Sequence, residues 1–173
     1  MKKIYLIRHA KSSWDDPGLS DIERPLNHRG LRDAPFMSKM LKGKNVTPNK
    51  LISSPANRAF TTATYFAKEL NIPEQAIVIR KEVYHAYPEE VLNIIRNLSD
   101  NDDTILLFGH NPCFTSLANQ FSTEYIPNVP TCGIVAVEAE VKRWTDFEKN
   151  GKLTAFYYPK QYLCLLYTSD AAD

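Results

Sequence analysis

Two histidines and two arginines stand just beyond short apolar runs of this chain. Arg8-His9 closes the run Lys3–Ile7, Arg58 follows Lys50–Ser53 by a few residues, and His110 follows Thr104–Phe108. Such a set suits a phosphoryl group. Arginine stays charged and offers a planar fork of donors that matches phosphate oxygens. A neutral imidazole nitrogen is a competent nucleophile toward phosphorus, and a second, protonated histidine can stabilise charge on the group in transfer. Chemistry of this kind needs positioning and electrostatics more than it needs a cofactor. His9, His110, Arg8 and Arg58 are therefore the expected catalytic set. Arg8, Arg58 and His110 are also expected to bind substrate, joined by Ser12 and Asn111 from the adjoining loops.

These side chains can meet only if the intervening segments bring three strand ends to one edge. Lys3–Ile7, Lys50–Ser53, Ala76–Arg80 and Thr104–Phe108 read as strands, the last buried on both faces. Helices are expected between them. One covers Arg29–Leu41 behind Asn27, with Leu31, Met37, Met40 and Leu41 on its apolar side and Pro35 as an interruption. Another opens at Ser54-Pro55, a serine cap followed by proline at the first helical position, and runs to Leu70. A third starts at Pro88, and a fourth runs to Phe121. Gly133–Val141 and Lys152–Tyr158 then read as a late β pair joined through Gly151. Alternation of strand and helix implies an α/β fold: a three-layer sandwich with a mainly parallel central sheet, helices on both faces and antiparallel strands at the C-terminal end. In such sheets ligands bind beyond the carboxyl ends of the strands, where the histidines and arginines stand.

Composition narrows the class. Lys and Arg number 21 against 20 Asp and Glu in 173 residues, so the basic excess of a nucleic-acid binder is missing. The apolar run at Ile4–Ile7 is too short for a secretory core of roughly 7–15 residues. No stretch approaches the roughly 20 apolar residues of a membrane span. Cys113, Cys132 and Cys164 have neither paired nor metal-ligand spacing and are read as reduced thiols. A soluble cytoplasmic protein, bound neither to membrane nor to nucleic acid, is expected. The acidic pairs Asp15-Asp16 and Asp102-Asp103 sit in turn contexts without histidine at ligand spacing, so no metal site is expected.

Four motifs carry a resemblance. Ile7-Arg8-His9-Ala10-Lys11-Ser12 is followed by Glu23-Arg24-Pro25-Leu26-Asn27, then Arg29-Gly30. Ser53-Ser54-Pro55-Ala56, with Arg58-Ala59 and Thr61-Thr62-Ala63, comes next, and Gly109-His110-Asn111-Pro112 completes the series. In this order the chain resembles the histidine phosphatase superfamily, and within it the small SixA-like phosphohistidine phosphatases, over about residues 3–160. The resemblance implies that His9 becomes phosphorylated, that Arg8 and Arg58 hold phosphate, that His110 contacts the phosphoryl group and that no cofactor or metal takes part. It further implies a phosphorylated protein as partner, such as a phosphorelay domain, with a small phosphorylated metabolite as the alternative.

Many members of that superfamily carry an acidic proton donor after the third strand. Here Glu82–Glu90 contains no residue that clearly matches it, and His85 and Glu89 are the remaining candidates. An alkoxide leaving group needs a positioned acid, whereas the less basic imidazole of a phosphohistidine needs one less. The expected activity is thus a metal-independent phosphatase acting through phosphorylated His9, on protein phosphohistidine. The rival readings are a small-molecule phosphomonoesterase and a non-catalytic module that binds phosphorylated ligands. Arg24, Arg29, His28 and His85 are read mainly as structural, while Lys11, Ser12 and Ser13 lie close enough to the nucleophile to reach phosphate. One domain is expected over residues 1–162, with 163–173 as a non-native tail resembling translated vector sequence.

Overall fold

The computed structural model describes residues 1–163. The expected foreign tail, Leu163 apart, lies outside them, as does Cys164. Six strands form one sheet in the order β3-β2-β4-β1-β5-β6. They are β1 (Lys2–Arg8), β2 (Lys50–Ser53), β3 (Val78–Ile79), β4 (Thr104–Gly109), β5 (Ile134–Ala139) and β6 (Lys152–Tyr157). β1, β4, β2 and β3 are parallel neighbours, and β5 and β6 run antiparallel at the other edge. β1 and β4 occupy the middle, where both faces are covered, which explains their near-continuous apolar sequence.

Alternation along these strands divides the core between two faces. Tyr5, Ile7, Leu51, Leu106 and Phe108 point toward α1 (His28–Gly43) and α2 (Asn57–Glu69), meeting Met37, Leu41, Phe66 and Ala67. Ile4, Leu6, Ile52, Ile105 and Leu107 point the other way, toward α3 (Pro88–Arg96), α4 (Cys113–Phe121) and the short α5 (Phe147–Asn150). The three-layer α/β sandwich expected from sequence is the observed fold.

Several local expectations change. α1 runs without a break through Pro35, whose missing N–H strands only the carbonyl of Leu31, a residue on the exposed side of the helix. Leu31 thus does not join the apolar face. Ser54 does not cap a helix. Its hydroxyl accepts from the Ala56 N–H in a tight turn, and α2 begins only at Asn57. The third strand shrinks to Val78–Ile79, an exposed edge flanked by 3-10 turns at Glu74–Ala76 and Lys81–Val83. The β5–β6 connection is no simple hairpin. It includes the turn Trp144–Asp146 and α5, because Trp144 and Phe147 are fully buried against the α3–α4 side.

Candidate active site

The register of the two central strands sets the site. Arg8 of β1 pairs with Gly109 of β4, so the next residue of each strand, His9 and His110, emerges at the same edge. The His9 N–H donates to the Gly109 carbonyl at 3.0 Å, and the two imidazole centroids lie 5.2 Å apart. Gly109 is required by packing, since a Cβ there would meet the Phe114 ring at 2.7 Å. The chain after β2 joins them through Ser54, whose N–H donates to the Phe108 carbonyl at 3.0 Å.

Neighbouring segments lock this edge. The Cys132 N–H donates to the carbonyls of both Arg8 and His9 at 3.1 Å, with Cys132 in the left-handed region at φ 59°. Thr62 ties α2 to the strand end: its hydroxyl accepts from the Ala10 N–H at 3.0 Å and donates to the Arg58 carbonyl at 2.7 Å. On the far side of the loop, Gly30 lets the first turn of α1 approach the Lys11 backbone so closely that no Cβ fits.

Hydrogen bonds assign the imidazole tautomers. His9 Nδ1 is 2.7 Å from the Ala10 carbonyl, which can only accept, so Nδ1 carries the proton and Nε2 keeps its lone pair. Ser54 Oγ accepts from Ala56 and lies 2.7 Å from His110 Nε2, with its own hydrogen free to point at that nitrogen. In that arrangement His110 carries its proton on Nδ1, a buried nitrogen with no protein partner among the described residues. Burial, reinforced by the charges of Arg58, Arg8 and Arg24, pulls the His9 pKa down to about 3. Burial, then His9 and Arg58, brings His110 to about 3 as well. In the open cleft burial and neighbouring positive charge favour neutral His110, and an arriving anion would favour its charged form.

The arginines are placed as expected, but with partners that sequence does not suggest. Arg8 Nη1 donates to the Val129 carbonyl at 2.9 Å rather than to Asp15 or Asp16, and its Nε has no partner among the described residues. Arg58, only 6% exposed, grips Asp21 twice, through the backbone carbonyl at 2.7 Å and the carboxylate at 3.0 Å. The same carboxylate accepts from Arg24 at 3.0 Å and from the Tyr84 hydroxyl at 2.7 Å. Partial burial opposes ionisation of Asp21, yet bonds from Tyr84, Arg24 and Arg58 hold its carboxyl well below the usual range. Arg24 is a buried strut: it also bonds Ser12 Oγ at 2.6 Å and the Ser13 carbonyl at 3.0 Å, with its guanidinium over the Trp14 ring.

The candidate groups converge unequally. Arg8, His9, Asp21, Arg58, His85, His110 and Asn111 line one open cleft of about 580 Å³. Ser12 is buried behind it beside Arg24. Asn111 has spent its amide on Asn128, Val129 and Thr115, so it braces the loop instead of offering a free donor. Glu89 is not among the lining residues, and its carboxylate pairs with Arg96 at 2.9 Å. His85 does line the cleft, its ring tilted 41° against that of Tyr84 with centroids 3.9 Å apart. The acidic pair Asp102-Asp103 is engaged by Lys50 and Lys2 at the opposite end of the sheet. Asp21 and Tyr84 escape sequence reasoning, because their spacing reveals nothing of their meeting at Arg58.

The family model of the histidine phosphatase superfamily (branch 1) matches residues 4–83, which include His9 and Arg58. A SixA structure from Agrobacterium tumefaciens is 25% identical and superposes with a TM-score of 0.77, over 91% of this chain and 98% of that one. Residues 4–83 thus match the histidine phosphatase superfamily, and nearly the whole chain shares the SixA fold. It is 31% identical to the phosphohistidine phosphatase SixA of Escherichia coli over 77 residues, 44% of this chain and 47% of that protein. An uncharacterized protein of Mycobacterium tuberculosis is 29% identical over 165 residues, 89% of this chain and 100% of that protein. A structure of SixA complexed with tungstate shares the fold, with 23% identity and a TM-score of 0.78 over 92% of this chain and 98% of that one. Together these matches support a phosphatase of SixA-like fold. No described helix is long and apolar enough to cross a membrane.

Proposed function

We propose that the chain hydrolyses phosphohistidine on protein substrates through a phosphorylated His9. The observation that carries this reading is the fixed tautomer of His9, a neutral imidazole whose Nε2 lone pair is unengaged beside Arg8, Arg58 and His110. Nε2 attacks phosphorus, and the substrate's P–N bond breaks as the leaving imidazole takes the electron pair and a proton from solvent. Water then attacks phosphorylated His9, giving its hydroxide to phosphorus and its proton to solvent, and inorganic phosphate departs. Arg8, Arg58 and the Nδ1–H of His110 hold the phosphoryl oxygens throughout.

The choice of phosphoramidate over ester rests on the acids of the cleft. Asp21 is held ionised by Tyr84, Arg24 and Arg58, and so cannot donate a proton near neutral pH. Glu89 lies outside the cleft lining and is tied to Arg96. Such a site favours leaving groups that depart without a strong acid. The rim favours a large substrate: Tyr87, 76% exposed, offers an aromatic ring at the edge of the cleft.

The test compares turnover of a phosphohistidine peptide and of an alkyl phosphate, with chelator present. The expected result is metal-free hydrolysis of the peptide at a kcat/KM on the order of 100-fold or more above the alkyl ester. Equal or better turnover of the alkyl ester would favour a small-molecule phosphomonoesterase with His85 as donor. Phosphate binding without any turnover would leave a binding module.

A further inference from the structure

Arg8 borders a second depression besides the catalytic cleft. This groove, about 380 Å³, is lined by Arg8, Lys11, Arg29, Arg32 and Lys160, with Asp33 as the single carboxylate among its described lining residues. In a chain whose overall charge is +1, that is a concentrated positive field. Arg32 neutralises Asp33, a buried residue, at 2.9 Å. Arg8, Lys11, Arg29 and Lys160 have no carboxylate partner among the described residues. Arg29 and Arg32 stand near the start of α1, whose first turn contains no acidic residue. Cations there oppose the helix dipole unless an anion is shared between them. The close approach of Gly30 to Lys11 holds this end of α1 against the loop that follows His9, so the groove and the nucleophile are fixed relative to one another.

We propose that this groove is a second anion subsite, which takes aspartate or glutamate side chains flanking the phosphorylated residue of a protein substrate. The inference rests on the reading of the chain as a protein phosphatase and adds a substrate preference to it. Arg8 is the shared wall: it faces the phosphoryl group in one depression and the acidic segment in the other. Exposed charges of this kind steer encounter and select among partners more than they add raw affinity, and their effect fades with salt.

The experiment uses the full chain and two phosphohistidine peptides, one with Asp and Glu beside the phosphorylated residue and one with Asn and Gln there. Both are compared with p-nitrophenyl phosphate at low and high ionic strength. The variant is Arg29→Gln combined with Lys160→Gln; Arg32 is kept because it neutralises Asp33. Wild type should prefer the acidic peptide by on the order of 10-fold in kcat/KM at low salt. The preference should fall to about 2-fold in the double variant and in high salt, with p-nitrophenyl phosphate turnover unchanged. Equal rates for the two peptides, or a preference that survives the double substitution, would overturn the proposal. So would a dependence on Arg29 and Lys160 seen for a small bisphosphate such as butane-1,4-diol bisphosphate but not for the peptides. Loss of the underlying protein-phosphatase reading is distinguishable, because wild type would then turn over neither peptide, whether or not it hydrolysed p-nitrophenyl phosphate.

Discussion

Arg58 and Asp21 form a forked contact at the floor of the cleft, with the guanidinium bonded to both the backbone carbonyl and the carboxylate of the same residue. The arginine expected to hold phosphate is thus already holding a carboxylate. An incoming phosphate dianion must share Arg58 with Asp21 and tolerate its charge. Asp21→Asn keeps the carbonyl contact and removes the charge. Inorganic phosphate or vanadate should therefore bind this variant about 3- to 10-fold more tightly, in line with the loss of one nearby like charge. Calorimetric or inhibition constants check this, and weaker binding by Asp21→Asn would show that the carboxylate serves mainly to position Arg58.

Two buried neutral histidines make a distinct pH signature. Their folded pKa values, about 3, lie below the unfolded value near 6.5. The unfolded state consequently binds more protons as pH falls through 6.5, and stability is lost on the acid side. From pH 7 to pH 5 the loss is about 2 kcal/mol for each histidine. Denaturant titrations should show this slope, and His9→Gln should remove about half of it. Imidazole ¹⁵N shifts should report His9 neutral at pH 5 with the proton on Nδ1; a titration near 6.5 would contradict the assignment.

Ser54 acts on chemistry through His110. Ser54→Ala removes the hydroxyl donor that fixes the His110 tautomer. Stability should drop by about 1–2 kcal/mol, because a buried nitrogen loses its partner. Turnover should fall on the order of 10-fold, as His110 presents its Nδ1 proton for only part of the time. Proton-sensitive NMR of His110 separates the two effects: unchanged tautomer with reduced turnover would point elsewhere.

Gly30 tests the coupling between α1 and the nucleophile loop. A Cβ at this position would strike the Lys11 backbone, which cannot rotate away as a flexible side chain would. Gly30→Ala should destabilise the fold by about 1–3 kcal/mol and reduce turnover, despite the better helix propensity of alanine. Thermal melting with a parallel assay measures both, and a more stable Gly30→Ala variant would show that the contact is dispensable.

The pairs that meet across strand ends are legible in the sequence because each follows an apolar run directly. Arg8-His9 and Gly109-His110 need only parallel, neighbouring strands to come together. Ser54 stands where the sequence places it, at the end of β2, yet it does not cap α2. Its type fits the cap pattern, but a hydrogen-bond partner 56 positions away decides what its side chain does. Asp21 opens one short 3-10 turn and Tyr84 follows another, in connections whose paths are set by tertiary contacts, so nothing local announces their convergence on Arg58. The β5–β6 connection is hidden for a related reason, since the burial of Trp144 and Phe147 is a property of the α3–α4 face and not of the hairpin sequence.

The nucleophilic role of His9 is the centre of the account, and rapid acid-free quenching of the enzyme with a phosphohistidine peptide or p-nitrophenyl phosphate tests it most directly. Wild type should accumulate a phosphoryl group that is stable in alkali, labile in acid and located on His9 by mass spectrometry. His9→Ala should form none and lose turnover by on the order of 10³-fold or more. Turnover by His9→Ala near the wild-type rate, or a phosphoryl group trapped on another residue, would contradict it.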